Sequence, residues 1–250
     1  MLASRTRVRE RFLIVCALLL PVVASCSLPG VGCLTSLDQD TLDRLTFSLD
    51  SSLQTRPGGT IELQLGTLEC CVYFEPVDTC VDWSVEPSDG ADINREGLLS
   101  IDDDAPHGAV FVVTADVENG RRLLSTDVHI YDPARNPLIG TWREVSQIDC
   151  ATGEEVPVER PIGELRFRAD GRVSVTWVPF ETYVDYWSRY RLTESGDLSL
   201  STEGGNFLPQ DVDLEGRFTI DESGDLLLQE MWLGSHLDSG TPTCGHRFTR

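Results

Sequence analysis

Glu164-Leu165-Arg166-Phe167-Arg168-Ala169-Asp170-Gly171-Arg172-Val173-Ser174-Val175-Thr176-Trp177 decides the architecture of the chain. Leu165 and Phe167 alternate with charged residues, Asp170-Gly171 turns, and Val173, Val175 and Trp177 alternate again. A period of two on both sides of an Asp-Gly turn predicts a β-hairpin with one buried face. The pattern repeats further on. Tyr190 and Leu192 lead through Glu194-Ser195-Gly196-Asp197 to Leu198 and Leu200, and Phe218 and Ile220 lead through Glu222-Ser223-Gly224-Asp225 to Leu226 and Leu228. Consecutive hairpins make an antiparallel meander, which removes its open edges by closing on itself.

Working towards the N-terminus, residues 44–132 also predict short strands. Leu45, Phe47 and Leu49 alternate, Pro57-Gly58-Gly59 turns, and Ile61, Leu63 and Leu65 alternate. Val81, Trp83 and Val85 form a third strand, and Gly97 to Ile101 a fourth. Val110-Phe111-Val112-Val113 is a continuous apolar run, fit for a strand buried on both faces. Leu123-Leu124 and Val128 to Tyr131 close the set. Many short strands with turn signals between them imply a sandwich, so the whole chain is expected to be all-β.

Three stretches carry resemblances. Val81-Asp82-Trp83-Ser84-Val85, Ile93 to Leu99 and Gly108 to Ala115 resemble the group 2 bacterial immunoglobulin-like domain, with Cys70 to Cys80 as an insertion. The resemblance implies a β-sandwich that serves as spacer or adhesion module. Leu138-Ile139-Gly140-Thr141-Trp142, Leu165 to Gly171 and His246 to Arg250 resemble the lipocalin-like (calycin) domains of bacterial lipoproteins. That resemblance implies a β-barrel over 138–250, with Trp142 plugging one end. An Arg of the last strand, Arg247 or Arg250, would pack across it. Pro133 to Pro137 reads as the linker between the two domains.

The N-terminus resembles the leader of a bacterial lipoprotein. Arg5, Arg7, Arg9 and Arg11 precede an apolar run, Phe12 to Ser25, that is too short to span a bilayer. Val23-Ala24-Ser25-Cys26 resembles a lipobox. The resemblance implies that residues 1–25 are removed and that Cys26 carries acyl chains such as palmitate. Ser27, rather than Asp, after the Cys resembles the outer-membrane pattern. Residues 26–43 read as lipidated Cys, tether and the start of a domain. The chain would be bound to the membrane by its lipid, in the cell envelope.

Charge and cysteines agree with that address. There are 41 acidic against 20 basic residues, a formal charge of -21, and every basic residue is Arg. Nucleic acid is thereby excluded as a partner, since phosphate binding needs clustered cations. The absence of Lys excludes a Schiff-base mechanism. Besides Cys16 and Cys26, six cysteines remain: Cys33, Cys70, Cys71, Cys80, Cys150 and Cys244. An even number outside the cytoplasm points to disulfides. If bridges stay within domains, Cys150 pairs with Cys244. Cys80 then pairs with Cys70 or Cys71, and Cys33 takes the other. With no C-x-x-C pair and four scattered His, a metal is not expected.

Chemistry is sparse elsewhere. Asp211, Asp213, Glu215, Gly216 and Glu222 match the spacing of a calcium loop, but Arg217 to Ile220 alternates as a strand, so a solvated strand edge is the better reading. Asp102-Asp103-Asp104 reads as a solvated turn. No G-x-S-x-G, H-E-x-x-H or phosphate loop occurs, and no cofactor or enzyme activity is expected. Trp177, Phe180, Tyr183, Tyr186, Trp187 and Tyr190 crowd six aromatics together. They line a pocket for a small apolar ligand at the barrel mouth, or they fill the barrel interior. The first expectation is a ligand- or partner-binding barrel on an immunoglobulin-like spacer. The alternative is a structural or adhesive protein with a filled barrel.

Overall fold

The computed structural model describes residues 36–48, 53–69, 73–178, 184–193, 195–210, 212–235 and 242–250. The described chain is all-β apart from one helical turn, as its alternations require. That helix, α1 (Gln39–Arg44), lies where no apolar period signals one. Asp38 caps it by accepting from the Thr41 N–H at 2.8 Å, and Leu42 anchors it in the core.

The first half contains β1 (Leu45–Phe47), β2 (Gln54–Thr55), β3 (Thr60–Glu62), β4 (Leu65–Glu69), β5 (Tyr73–Pro76), β6 (Val81–Glu86), β7 (Ala91–Ile93), β8 (Leu98–Ile101), β9 (Val110–Val117) and β10 (Arg122–Ile130). They form three small sheets, ordered β1-β4-β5, β2-β10-β9-β6 and β3-β8-β7. One apolar cluster, including Leu42, Leu65, Leu99, Phe111, Val113 and Ile130, lies among them. Two expectations are corrected here. Ile61 and Leu65 belong to different strands in different sheets, because the chain leaves β3 after Glu62. The Val110 to Val113 run is not buried on both faces: Phe111 and Val113 face the core, while Val110 and Val112 are exposed. Among the described residues no second layer covers Val110 and Val112 on the outer face of β9, so alternation governs even its apolar first half.

The second half contains β11 (Gly140–Ile148), β12 (Glu155–Val156), β13 (Ile162–Phe167), β14 (Arg172–Trp177), β15 (Tyr186–Leu192), β16 (Asp197–Gly205), β17 (Glu215–Ile220), β18 (Leu226–Gln229) and β19 (Gly245–Thr249). They form one nine-stranded sheet in the order β12-β11-β13-β14-β15-β16-β17-β18-β19, and β11 also pairs with β19. The sheet therefore closes into a ring. β11 joins the ring at three places: Gly140 to Trp142 pair with β13, Arg143 to Gln147 with β19, and Gln147 and Ile148 with β12.

The two ends of this ring differ. Tight turns at 168–172, 193–197 and 221–225 lie at the end where β11 begins. In each, the glycine adopts a positive φ, 80° at Gly171 for example, which a side chain would oppose. The longer connections, which leave β11, β14, β16 and β18, begin at the other end. A second apolar cluster fills the ring, including Trp142, Phe167, Trp177, Tyr186, Leu228 and Phe248.

Candidate functional site

The aromatic stretch is sorted by strand parity. On β15, Tyr186 and Tyr190 point inward, so Trp187 between them points outward and is 39% exposed. It lies against Gly204 on β16, where a Cβ would come within 3.1 Å of the indole. Trp177, at the end of β14, is 2% exposed and packs on Tyr186 (ring centroids 5.7 Å apart) and on Phe207 (6.1 Å). Tyr190 meets Phe167 edge to face at 5.1 Å. Phe180 and Tyr183 lie outside the described residues. The structure thus brings Trp177, Tyr186 and Tyr190 together inside the ring and excludes Trp187 from that group.

The interior is dense. Trp142, Ile162, Leu165, Phe167, Val175, Tyr186 and Leu233 each retain 1% exposure or less. A void that admitted water would leave accessible area on its walls, and these walls show almost none. Both phenols find acceptors. The Tyr186 hydroxyl donates to the Leu233 carbonyl at 2.9 Å, and the Tyr190 hydroxyl donates to the Arg168 carbonyl at 2.7 Å. Burial drives the Tyr186 phenol far above its ordinary range, and burial likewise pushes Tyr190 up to about 12.

A buried acid and imidazole lie towards the loop end; His246 stands in a stretch singled out in the sequence, and Glu144 does not. Glu144 follows Trp142 on the inner face of β11, and His246 precedes Phe248 on the inner face of β19. Both side chains have no exposure, and His246 Nδ1 lies 2.6 Å from Glu144 Oε1. The Leu233 N–H donates to His246 Nε2 at 3.2 Å, so Nδ1 carries the ring proton and donates it to Glu144. Glu144 also accepts from the Ile162 N–H (2.7 Å) and from Gln147 Nε2 (3.1 Å). The indole of Trp232 stacks on the imidazole at 5.3 Å. Both carboxylate oxygens and both ring nitrogens are in use, and among the described residues no hydroxyl or thiol is hydrogen-bonded to the ring. Alternation on β11 was the available signal: Glu144 shares the parity of Trp142.

At the turn end, Arg250 and not Arg247 lies over Trp142, its guanidinium carbon 4.5 Å from the ring centroid. Arg247 points outward, as its place between His246 and Phe248 demands. It donates to Glu155 at 2.9 Å, to Asp221 at 2.8 Å and to Asp225 at 3.0 Å.

Cys150 and Cys244 are disulfide-bonded, with Cα atoms 4.9 Å apart. Cys80 is disulfide-bonded as well. Cys26, Cys33, Cys70 and Cys71 lie outside the described residues. Asp211, the first position of the calcium-loop spacing, does too. Asp213 forms an isolated bridge with Trp232, Glu215 opens β17, and Glu222 stands in the next turn. Among the described residues no cluster of His, Cys, Asp or Glu is arranged to hold a metal ion. No helix among them is long and apolar enough to cross a membrane. In the first half an open hollow of about 360 Å³ is rimmed by Glu62, Gln64, Asp78, Trp83, Arg95 and Glu96.

No protein-family model matches the chain, and no curated protein matches it.

Proposed function

We propose that this is a lipid-anchored, non-enzymatic protein of the cell envelope, held at the outer membrane through Cys26. Residues 44–132 serve as an immunoglobulin-like spacer. Residues 138–250 form a lipocalin-like barrel that is filled by its own side chains and acts as a structural or adhesive module. The observation that carries this reading is the near-zero exposure of the ring interior, Trp177 and Tyr186 included. A carrier of apolar molecules needs a cavity of ~300 Å³ or more, and the walls of this ring meet each other instead. The ring closure and the Arg250–Trp142 contact support the lipocalin-like resemblance.

Titration of the mature protein with a fluorescent fatty acid at neutral pH tests the filled interior. No saturable binding is expected, and one-to-one binding in the micromolar range would restore the ligand-carrying reading. The anchor is tested separately. Cys26→Ser should move the protein from the membrane fraction to the soluble fraction, because acyl chains contribute ~0.8 kcal/mol per buried CH2. Unchanged partitioning would remove the anchor from the proposal.

A further inference from the structure

Beyond β18 the chain does not run straight to β19. Glu230 turns it with a left-handed backbone, φ 57°. Met231, Trp232 and Leu233 then cross the loop end of the ring, all buried, and Met231 and Leu233 join its apolar cluster. Gly234 (φ 90°) ends this strap against Pro209, where a Cβ would come within 2.5 Å of the proline ring. Three hydrogen-bonded attachments hold its middle, Trp232 and Leu233. Trp232 and Asp213 exchange both backbone hydrogen bonds, at 2.8 and 2.9 Å. The Leu233 carbonyl accepts from the Tyr186 hydroxyl. The Leu233 N–H donates to His246 Nε2.

The third attachment differs from the others, because one proton abolishes its acceptor. A second proton on the imidazole would place an Nε2–H against the Leu233 N–H. Two donors would then face each other where His246 has no exposure and no water to turn to. Glu144 on β11 attracts an imidazolium. Its bonds run to His246, Ile162 and Gln147, none of them in the strap, so Glu144 does not hold the strap itself. Water admitted on opening screens its attraction for the imidazolium and also gives the Nε2–H an acceptor, and the latch requires the second effect to be the larger. The other ionisable groups near the strap have partners of their own. The Asp185 carboxylate, at the entry to β15, accepts from the Trp177 N–H (2.7 Å), and Tyr186 donates to Leu233. Asp213, before β17, accepts from the Glu215 N–H at 3.4 Å, and Glu230 pairs with Arg217 of β17 at 2.5 Å. The sign follows: opening the strap takes up a proton, so acid favours the open form.

We propose that His246 is an acid-released latch on the strap formed by residues 230–234. The neutral ring holds Leu233 in the loop end of the ring of strands. The imidazolium releases it and uncovers Tyr186. This inference does not depend on the membrane anchor or on what the protein binds.

Amide hydrogen exchange of the mature wild-type chain, followed by NMR from about pH 7.5 to about pH 4, tests the latch. Ring-nitrogen shifts of His246 are read in the same samples. After correction for intrinsic rates, protection of the Leu233 amide should fall about tenfold per pH unit once His246 titrates, and the Val175 amide should keep its protection. His246→Gln offers a carbonyl to the Leu233 N–H at every pH and should hold the strap protected throughout. His236→Asn should retain the wild-type acid response. A strap that stays protected across the range, or that opens where His246 has not titrated, overturns the proposal. So does an acid response that survives in folded His246→Gln or disappears in His236→Asn. If His246→Gln does not fold, the wild-type titration decides, because opening and ring protonation must share one midpoint.

Discussion

Arg250 lays its guanidinium 4.5 Å above the indole of Trp142, while Trp142 Nε1–H donates to the Leu138 carbonyl at 2.6 Å. Arg250 also donates to the Pro137 carbonyl at 2.9 Å. Arg250, just past β19, is thereby tied to the entry of β11. The two partners contribute unequally. Trp142 is 1% exposed, so Trp142→Ala empties a large buried site and should cost about 3–5 kcal/mol. Arg250 is exposed, and Arg250→Ala should cost only about 0.5–1 kcal/mol. Chemical denaturation of both variants checks the order. Equal losses would mean that the stacking, rather than burial of the indole, fixes this end of the ring.

The opposite end is fixed covalently. Cys150 and Cys244 join positions 94 residues apart, and the Cys244 N–H donates to the Ile148 carbonyl at 2.8 Å. Without the link, the unfolded chain regains the freedom of a long loop. The double variant Cys150→Ser/Cys244→Ser should lose about 2–5 kcal/mol. Thermal unfolding with and without reductant checks this. A reductant that shifts the unreduced protein no further than the variant would assign the whole effect to this bridge.

Strand alternation made most of the second half legible, because a ring with a filled interior enforces one buried face on every strand. The same rule, applied residue by residue, separates Trp187 from Tyr186 and Tyr190, and Arg247 from His246 and Phe248. Treating the aromatics as one cluster hid the first distinction. Arg250 escapes the rule because it lies past β19, where the chain is free to curl over Trp142. Glu144 was hidden by its charge. A carboxylate suggests solvent, and only its partners His246 and Ile162, 102 and 18 residues away, make burial tolerable. The strap was not legible either. Met231-Trp232-Leu233 is apolar throughout and has no period, and a crossing of the ring's end depends on contacts with β15, β19 and the connection before β17. In the first half, Val110 to Val113 misled for the converse reason. Apolar composition says nothing about a missing second layer.

The turn between β17 and β18 carries a pH signature. Asp221 accepts from the Ser223 hydroxyl at 2.5 Å, from the Asp225 N–H at 3.1 Å and from Arg247. The Ser223 hydroxyl leads in holding the carboxyl down at about 2, against the burial that raises it. A carboxyl lowered from its unfolded value of ~3.9 adds stability that is fully present above about pH 4 and is lost as pH falls towards about 2. NMR titration of Asp221 should therefore respond more to Ser223→Ala than to Arg247→Ala, both moving it upward. A larger shift in Arg247→Ala would make the ion pair the leading cause.

Glu144 gives the sharpest test of what the buried dyad contributes. Its carboxylate is the acceptor for the Ile162 N–H, where the β11–β13 ladder has already ended, and for the His246 imidazole. Glu144→Ala strips these two donors, and Gln147 Nε2 as a third, of their acceptor in a site with no exposure and should cost about 3–5 kcal/mol. Glu144→Gln retains one carbonyl oxygen and nearly the same volume, so it should cost distinctly less. It cannot serve both donors with that oxygen and still offer its amide an acceptor, so it should not be neutral. Urea unfolding of the two variants separates the contributions. If Gln costs as much as Ala, the negative charge rather than the hydrogen-bond count holds this end of the ring together. If Gln costs nothing, the acid is present for something other than stability.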